Sequence, residues 1–205
     1  MTRTVELPAP GRGAYDRSLS RVERDAQHRE RLLLATAQVL HEGDVTVARI
    51  VERAGVGRST FYEFFDGPQH VVAHLEQRAL RGFEQALEAA FAAAPTPLDR
   101  LRAVLRAWLA QLDARPFDAR VALERRAGNE LLAPASSLLL RMLERIVREA
   151  RDGGVAWLAS TDDVRLLSAA ATLEALSRRH LLGQRLQDGV GGADALTELT
   201  VKILR

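Results

Sequence analysis

Apolar residues recur at intervals of three and four along most of the chain, which is the period of an α-helix, and no segment shows strand-like alternation. Glycine and proline interrupt the pattern, among other places at Gly43, Pro95-Thr96-Pro97 and Pro116. Thr161 suits the N-cap of a later helix, and Trp157 lies in a short link before it. The spacing predicts an all-α protein of about nine helices, near residues 24–42, 47–54, 58–65, 68–94, 98–114, 117–127, 134–151, 161–186 and 194–204.

Two short segments joined by a tight turn stand out within this pattern. Thr46 has a side-chain oxygen that suits an N-cap, and the helix that begins at Val47 should end near Gly55, where the chain needs a positive φ. The second helix places Phe61 and Phe65 on one face. Its outward face carries polar side chains: Arg58, Ser59, Thr60 and Tyr62.

Two helices joined in this way form a helix-turn-helix, whose second helix fits the major groove of DNA. Arg58 can pair with a phosphate or a guanine edge, while Ser59, Thr60 and Tyr62 can donate to backbone oxygens. The same spacing also suits an ordinary helix pair in an α-helical protein, because turn glycines and aromatic anchors are common. Spacing alone leaves both interpretations open.

The residues themselves resemble the signature of the TetR family of bacterial transcriptional regulators. The resemblance is specific over about residues 29–75 and rests on Thr46, Ile50, Ala54-Gly55-Val56, Arg58-Ser59-Thr60-Phe61-Tyr62 and Phe65. It implies that Thr46, Val47, Arg58, Ser59, Thr60 and Tyr62 contact double-stranded DNA. One departure is Pro68, which replaces a family lysine that holds a phosphate.

The resemblance also implies a domain organisation. Residues 1–22, with scattered prolines, glycines and arginines, are predicted to form a flexible arm, residues 23–67 a three-helix helix-turn-helix head, and residues 68–205 a ligand-binding and dimerisation body. In the family, the long helix from Pro68 connects head and body. The segment 161–186 is apolar on more than one face, which indicates a homodimer through the last two helices, as in the family.

Regulators of this type respond to a small-molecule effector that binds the body. The bulky or polar residues best able to line such a cavity are Phe83, Trp108, Phe117, Met142 and Glu174, although each is also a plausible core residue. The identity of the effector does not follow from the sequence.

Composition and charge restrict the possible localisation and chemistry of the protein. No run approaches the length of a membrane span and no signal-peptide pattern occurs at the N-terminus, so we expect a cytoplasmic protein with no membrane partner. Cysteine is absent, which excludes disulfides and thiolate chemistry. The net charge is only +2, and residues 1–68 contain ten arginines against ten acidic residues. Any basic surface on the head must therefore come from the placement of its arginines.

Enzymatic motifs are missing as well. The chain has no Gly-x-Ser-x-Gly elbow, no P-loop and no dinucleotide fingerprint, so we expect neither an enzyme nor a cofactor. His70 and His74 are four residues apart, a spacing that can hold a metal, but without a third ligand nearby in the sequence they are interpreted as surface or packing histidines.

The sequence thus predicts a dimeric, ligand-responsive repressor that binds a palindromic operator. The alternative, motivated by Pro68 and the balanced charge of the head, is a small-molecule carrier or interaction protein on the same scaffold.

Overall fold

The computed structural model describes residues 20–124, 131–153, 155–182 and 193–205. Within these ranges the chain forms ten helices and no strand, which confirms the predicted all-α class. The helices are α1 (Arg21–Glu42), α2 (Val47–Ala54), α3 (Arg58–Phe64), α4 (Pro68–Ala93), α5 (Pro97–Ala114), α6 (Pro116–Glu124), α7 (Pro134–Asp152), α8 (Ala156–Ala159), α9 (Asp163–Leu181) and α10 (Ala193–Leu204).

Two compact units make up the chain, Met1–Gln77 and Arg78–Arg205, and the division falls within α4. In the first unit, α1 packs against α2 and α3, and α2 packs against α3. Their shared core consists of apolar side chains that are almost fully buried: Leu32, Leu33, Ala35, Val39, Ile50, Val51, Ala54, Phe61 and Phe65. Leucine, valine and isoleucine at helical spacing produce this core, as the sequence pattern predicts.

The second unit is a helical body built around one continuous core. α7 packs against α5, α8 and α9, and α10 packs against α5 and α9. Trp108 is a fully buried member of this core. Its ring centroid lies 4.8 Å from that of Phe83, and its indole N–H donates to Ser177 Oγ at 2.8 Å. A buried indole thus keeps a hydrogen-bond partner.

Three local predictions are wrong. Trp157 does not lie in an irregular link but in the four-residue helix α8. The N-cap of α9 is Asp162, whose carboxylate accepts from the Arg165 N–H, whereas the Thr161 hydroxyl donates to the Leu204 carbonyl oxygen. The buried Thr161 has a better partner in α10 than in its own helix.

The third correction concerns the start of α1. Ser20 and Glu23 form a capping box, in which each side chain accepts from the other residue's backbone N–H, so the helix begins at Arg21 rather than after residue 22. The rest of the predicted arm, the loop at Gly128-Asn129 and the link 188–192 lie outside the described residues. Among the described helices, none combines the length and apolarity needed to cross a membrane.

Candidate nucleic-acid interface

The turn between α2 and α3 has the geometry that the sequence predicts. Thr46 is the N-cap of α2 and accepts from the Arg49 N–H through its hydroxyl at 3.3 Å. Gly55 ends α2 in the left-handed conformation, with φ 64° and ψ 39°. The Gly55 and Val56 N–H groups donate back to the carbonyls of Glu52 and Val51, so the last turn of α2 is satisfied. Only two residues then separate Gly55 from α3.

Two aromatic side chains fix α3 in the head. Phe61 and Phe65 are buried, with ring centroids 5.8 Å apart. Because α3 is only seven residues long, its position depends on this burial rather than on its own helix propensity. Phe61 and Phe65 therefore determine which side chains of α3 face solvent.

The side chains predicted to contact DNA lie mostly on the exposed surface. Arg58 and Ser59 are exposed at the start of α3, and Tyr62 is 57% exposed although its ring packs edge-on against Phe61 at 5.4 Å. Thr60 is half-buried. Thr46 is exposed and Val47 half-buried at the start of α2. The exposed side of α3 thus presents hydrogen-bond donors and the aromatic ring of Tyr62 to solvent.

Nearby arginines differ in their availability. Glu42 at the end of α1 accepts from Arg53 Nη2 at 2.9 Å and from Arg49 Nη2 at 2.9 Å. The Arg53 guanidinium, with a smaller contribution from Arg49, lowers the pKa of the Glu42 carboxyl below its usual range. Arg58, by contrast, makes no ion pair within the described part of the chain. The Arg58 guanidinium at the start of α3 is therefore available to contact a phosphate or a base.

Sequence reasoning missed the role of Glu42. The available signal is the spacing of Arg49 and Arg53, four residues apart and thus on one face of α2. Their shared carboxylate lies on another helix, and nothing in the local pattern identifies it. Two of the ten arginines counted in residues 1–68 consequently share one carboxylate, which offsets one of their two positive charges.

Pro68 occupies the first position of α4, where its missing N–H is not needed. The exposed Asp66 precedes it. This corner therefore offers a carboxylate where a phosphate-binding lysine would have offered a cation.

Most residues predicted to bind an effector lie in the core of the second unit. Phe83, Trp108 and Met142 are buried there, and Phe117 is half-buried. Glu174 is only 3% exposed, and its carboxylate accepts from the Ala133 N–H at 2.8 Å and from Arg178 Nη2 at 2.7 Å.

The Glu174 carboxylate is accordingly a buried charged group with two hydrogen-bond donors. Arg178 also donates to the Leu123 carbonyl oxygen at 2.5 Å, so the ion pair connects α9 to α6 and to the start of α7. A buried charge with several partners of this kind is costly to disturb.

No protein-family model matches the chain, and no curated protein matches it either. Solved structures do match over most of its length. A regulatory protein in the TetR family from Rhodococcus RHA1 has a TM-score of 0.66 at 15% identity, covering 91% of this chain and 98% of that one. The fatty acid degradation regulator FadR from Bacillus halodurans has a TM-score of 0.63 at 20% identity, covering 87% and 96%.

A third structure, a complex of SmeT with triclosan, has a TM-score of 0.57 at 20% identity, covering 86% of this chain and 89% of that one. The similarity at these identities defines an architecture, an all-α regulator fold with a helix-turn-helix near its N-terminus. The chain has the fold of the TetR family of transcriptional regulators, as the signature in residues 29–75 predicts.

Proposed function

We propose that this protein is a DNA-binding transcriptional regulator that acts as a homodimer on a palindromic operator and is released by a small molecule. The observation that carries the proposal is the exposed surface of α3, on which Arg58, Ser59 and Tyr62 stand free of the head while Phe61 anchors the helix below them. A rigid helix with a free guanidinium and hydroxyl donors is suited to a major groove.

Repression and release follow the logic of a two-state equilibrium. A small molecule that binds the second unit better in one state than in the other shifts the protein towards that state. Two observations support an effector of this type: the fold is shared with a protein solved in complex with triclosan, and the second unit contains a polar group, Glu174, inside an apolar core.

A selection from random double-stranded DNA with the purified full-length protein tests the proposal. We expect enrichment of one palindromic sequence, with half-sites separated by about one helical turn. In titrations against the enriched sequence, Arg58→Ala should weaken binding by about 1 to 3 kcal/mol if the guanidinium contacts a base. Arg141→Ala is the charge-matched control, because Arg141 is an exposed arginine of the second unit.

A second candidate function is a small-molecule carrier without DNA binding. Two features favour it, Pro68 in place of a phosphate-binding lysine and the pairing of both Arg49 and Arg53 with Glu42. If no sequence is enriched at low salt, where phosphate contacts are strongest, the regulator is excluded and the carrier is favoured. Equal affinity of the Arg58→Ala and Arg141→Ala variants would contradict the role given to α3.

A further inference from the structure

Two histidines meet at the start of α4, within the first unit. His70 and His74 lie one helical turn apart, and their Nε2 atoms approach to 3.0 Å. Both rings are half-buried and both pack edge-on against Phe65, at centroid distances of 5.9 and 5.5 Å. The four-residue spacing on α4 and the contact with Phe65 thus hold the two Nε2 atoms next to each other.

The outer nitrogens of the two rings determine where the protons lie. Arg29 Nη2 is 3.2 Å from His74 Nδ1, and because a guanidinium only donates, this Nδ1 is an acceptor. A neutral His74 therefore carries its proton on Nε2, which faces His70 Nε2. His70 Nδ1 accepts from the Asp66 backbone N–H at 3.0 Å, and the Asp66 carboxylate lies 3.1 Å from the same nitrogen. A neutral His70 with this acceptor also carries its proton on Nε2, so the protons of the pair lie on the two nitrogens that face each other.

We propose that a divalent transition metal ion of the nickel and copper type can bind to both Nε2 atoms in place of the protons there. With metal–nitrogen bonds of about 2.1 Å, a right angle at the metal separates two ligand nitrogens by about 3.0 Å. A tetrahedral ion would need a separation of about 3.4 Å from the same bond length. The 3.0 Å spacing therefore favours ions that accept square-planar or octahedral geometry, and imidazole is a preferred ligand for them.

The groups around the pair have opposite effects on such an ion. A metal on His70 Nε2 requires a proton on Nδ1, which the Asp66 carboxylate, 3.1 Å away, can accept once the bond from the Asp66 backbone N–H is given up; a carboxylate in that position orients a metal-binding histidine. Arg29 opposes binding, because a metal on His74 Nε2 requires a proton on Nδ1, which would then face the guanidinium. The described residues contain no group of three or more histidine, aspartate or glutamate ligands, so water completes the coordination.

Isothermal titration of the full-length, tag-free protein with nickel chloride, and separately with copper chloride, tests the proposal. We expect one saturable site per chain that is lost in His74→Ala. His180→Ala is the matched control, since His180 is likewise paired with a carboxylate, that of Asp113, and should leave the site intact. Asp66→Asn should weaken binding by about tenfold.

Arg29→Ala provides the sharper test, because it should tighten metal binding, a result that a purely structural histidine pair would not give. His74→Gln, checked for folding by circular dichroism, replaces His74→Ala if the latter unfolds. The proposal is overturned if the wild-type chain shows no saturable binding, if His74→Gln binds as tightly as His180→Ala, or if Arg29→Ala leaves the affinity unchanged. The pair would then be a hydrogen-bonded contact only.

Discussion

Phe61 shows how one side chain decides the orientation of α3. It is fully buried, while the next residue, Tyr62, is mostly exposed. We expect Phe61→Ala to destabilise the head by about 3 to 5 kcal/mol, since the cavity lies in a small core that cannot easily collapse. Thermal unfolding of the full-length protein followed by circular dichroism measures the loss.

Tyr62→Phe is the matched control for this prediction. Its hydroxyl is not part of the core, so stability should change by no more than about 0.5 kcal/mol, whereas affinity for the selected DNA should fall. Equal stability of the Phe61→Ala and wild-type proteins would contradict the anchoring role of Phe61.

Glu42 is the residue through which pH should act on the head. Its pKa is lowered in the folded protein, first by Arg53 and then by Arg49, so the unfolded chain binds a proton more readily. The stabilisation is therefore complete above the unfolded pKa, near about 4.3, and is lost as the pH falls through the folded value. Denaturant unfolding of wild type and Glu42→Gln should differ at neutral pH and converge in acid.

The pairing of Glu42 with Arg53 can be isolated by a double-mutant cycle. Once Arg53→Gln is present, Glu42→Gln should cost less stability at neutral pH, because the main partner is already gone. A constant difference between wild type and Glu42→Gln at every pH would disprove the ion-pair explanation.

At the scale of the helix, capping and first-turn preferences predict helix ends correctly where neighbouring residues alone determine them. Thr46, Gly55 and Pro68 each occupy the cap or first-turn position that their chemistry favours. Thr161 is the counterexample. Its hydroxyl bonds to Leu204, which is distant in sequence, and Asp162 caps α9 instead. Sequence reasoning fails there because a tertiary partner competes with the local one.

Long-range ion pairs also cannot be predicted from the local sequence, because their two residues are far apart along the chain. Arg78 on α4 donates to the Asp118 carboxylate on α6 at 2.7 Å, and both side chains are largely buried. Neither residue shows a sequence feature that identifies the other, because charged residues at these positions suit a solvated helix face equally well. The pair is found only when the two helices are seen together.

Breaking this pair should be costly. We expect Asp118→Ala to destabilise the protein by about 3 to 5 kcal/mol, because it removes the carboxylate that lies 2.7 Å from a largely buried guanidinium. Replacing both residues in Arg78→Met/Asp118→Leu should cost less than Asp118→Ala alone, since the buried guanidinium is removed together with its carboxylate. Chemical denaturation of the three proteins measures the difference. A double variant that is less stable than Asp118→Ala would contradict the prediction.

At the scale of the whole molecule, the sequence predicts a dimerisation surface on α9, which would bind a second copy of the chain. One face of α9 is exposed and carries mostly apolar or small side chains at intervals of three and four residues: Val164, Ser168, Ala171 and Ala175. Val164 is 74% exposed. Together with α10, this face is where we expect the second subunit to bind.

Ala171→Glu tests that expectation because Ala171 lies near the middle of the exposed face of α9. At a two-fold interface each substitution appears twice, so two carboxylates would be buried close together and repel each other. We expect the variant to be monomeric by light scattering and to bind a palindromic DNA site far more weakly, because two linked heads gain affinity that separate heads lack. Ala110→Glu, on an exposed position of α5, adds the same charge elsewhere and should remain dimeric. A dimer that persists in Ala171→Glu would mean that the subunits associate through a different surface, and the spacing of the two recognition helices would then have to be derived again from that surface.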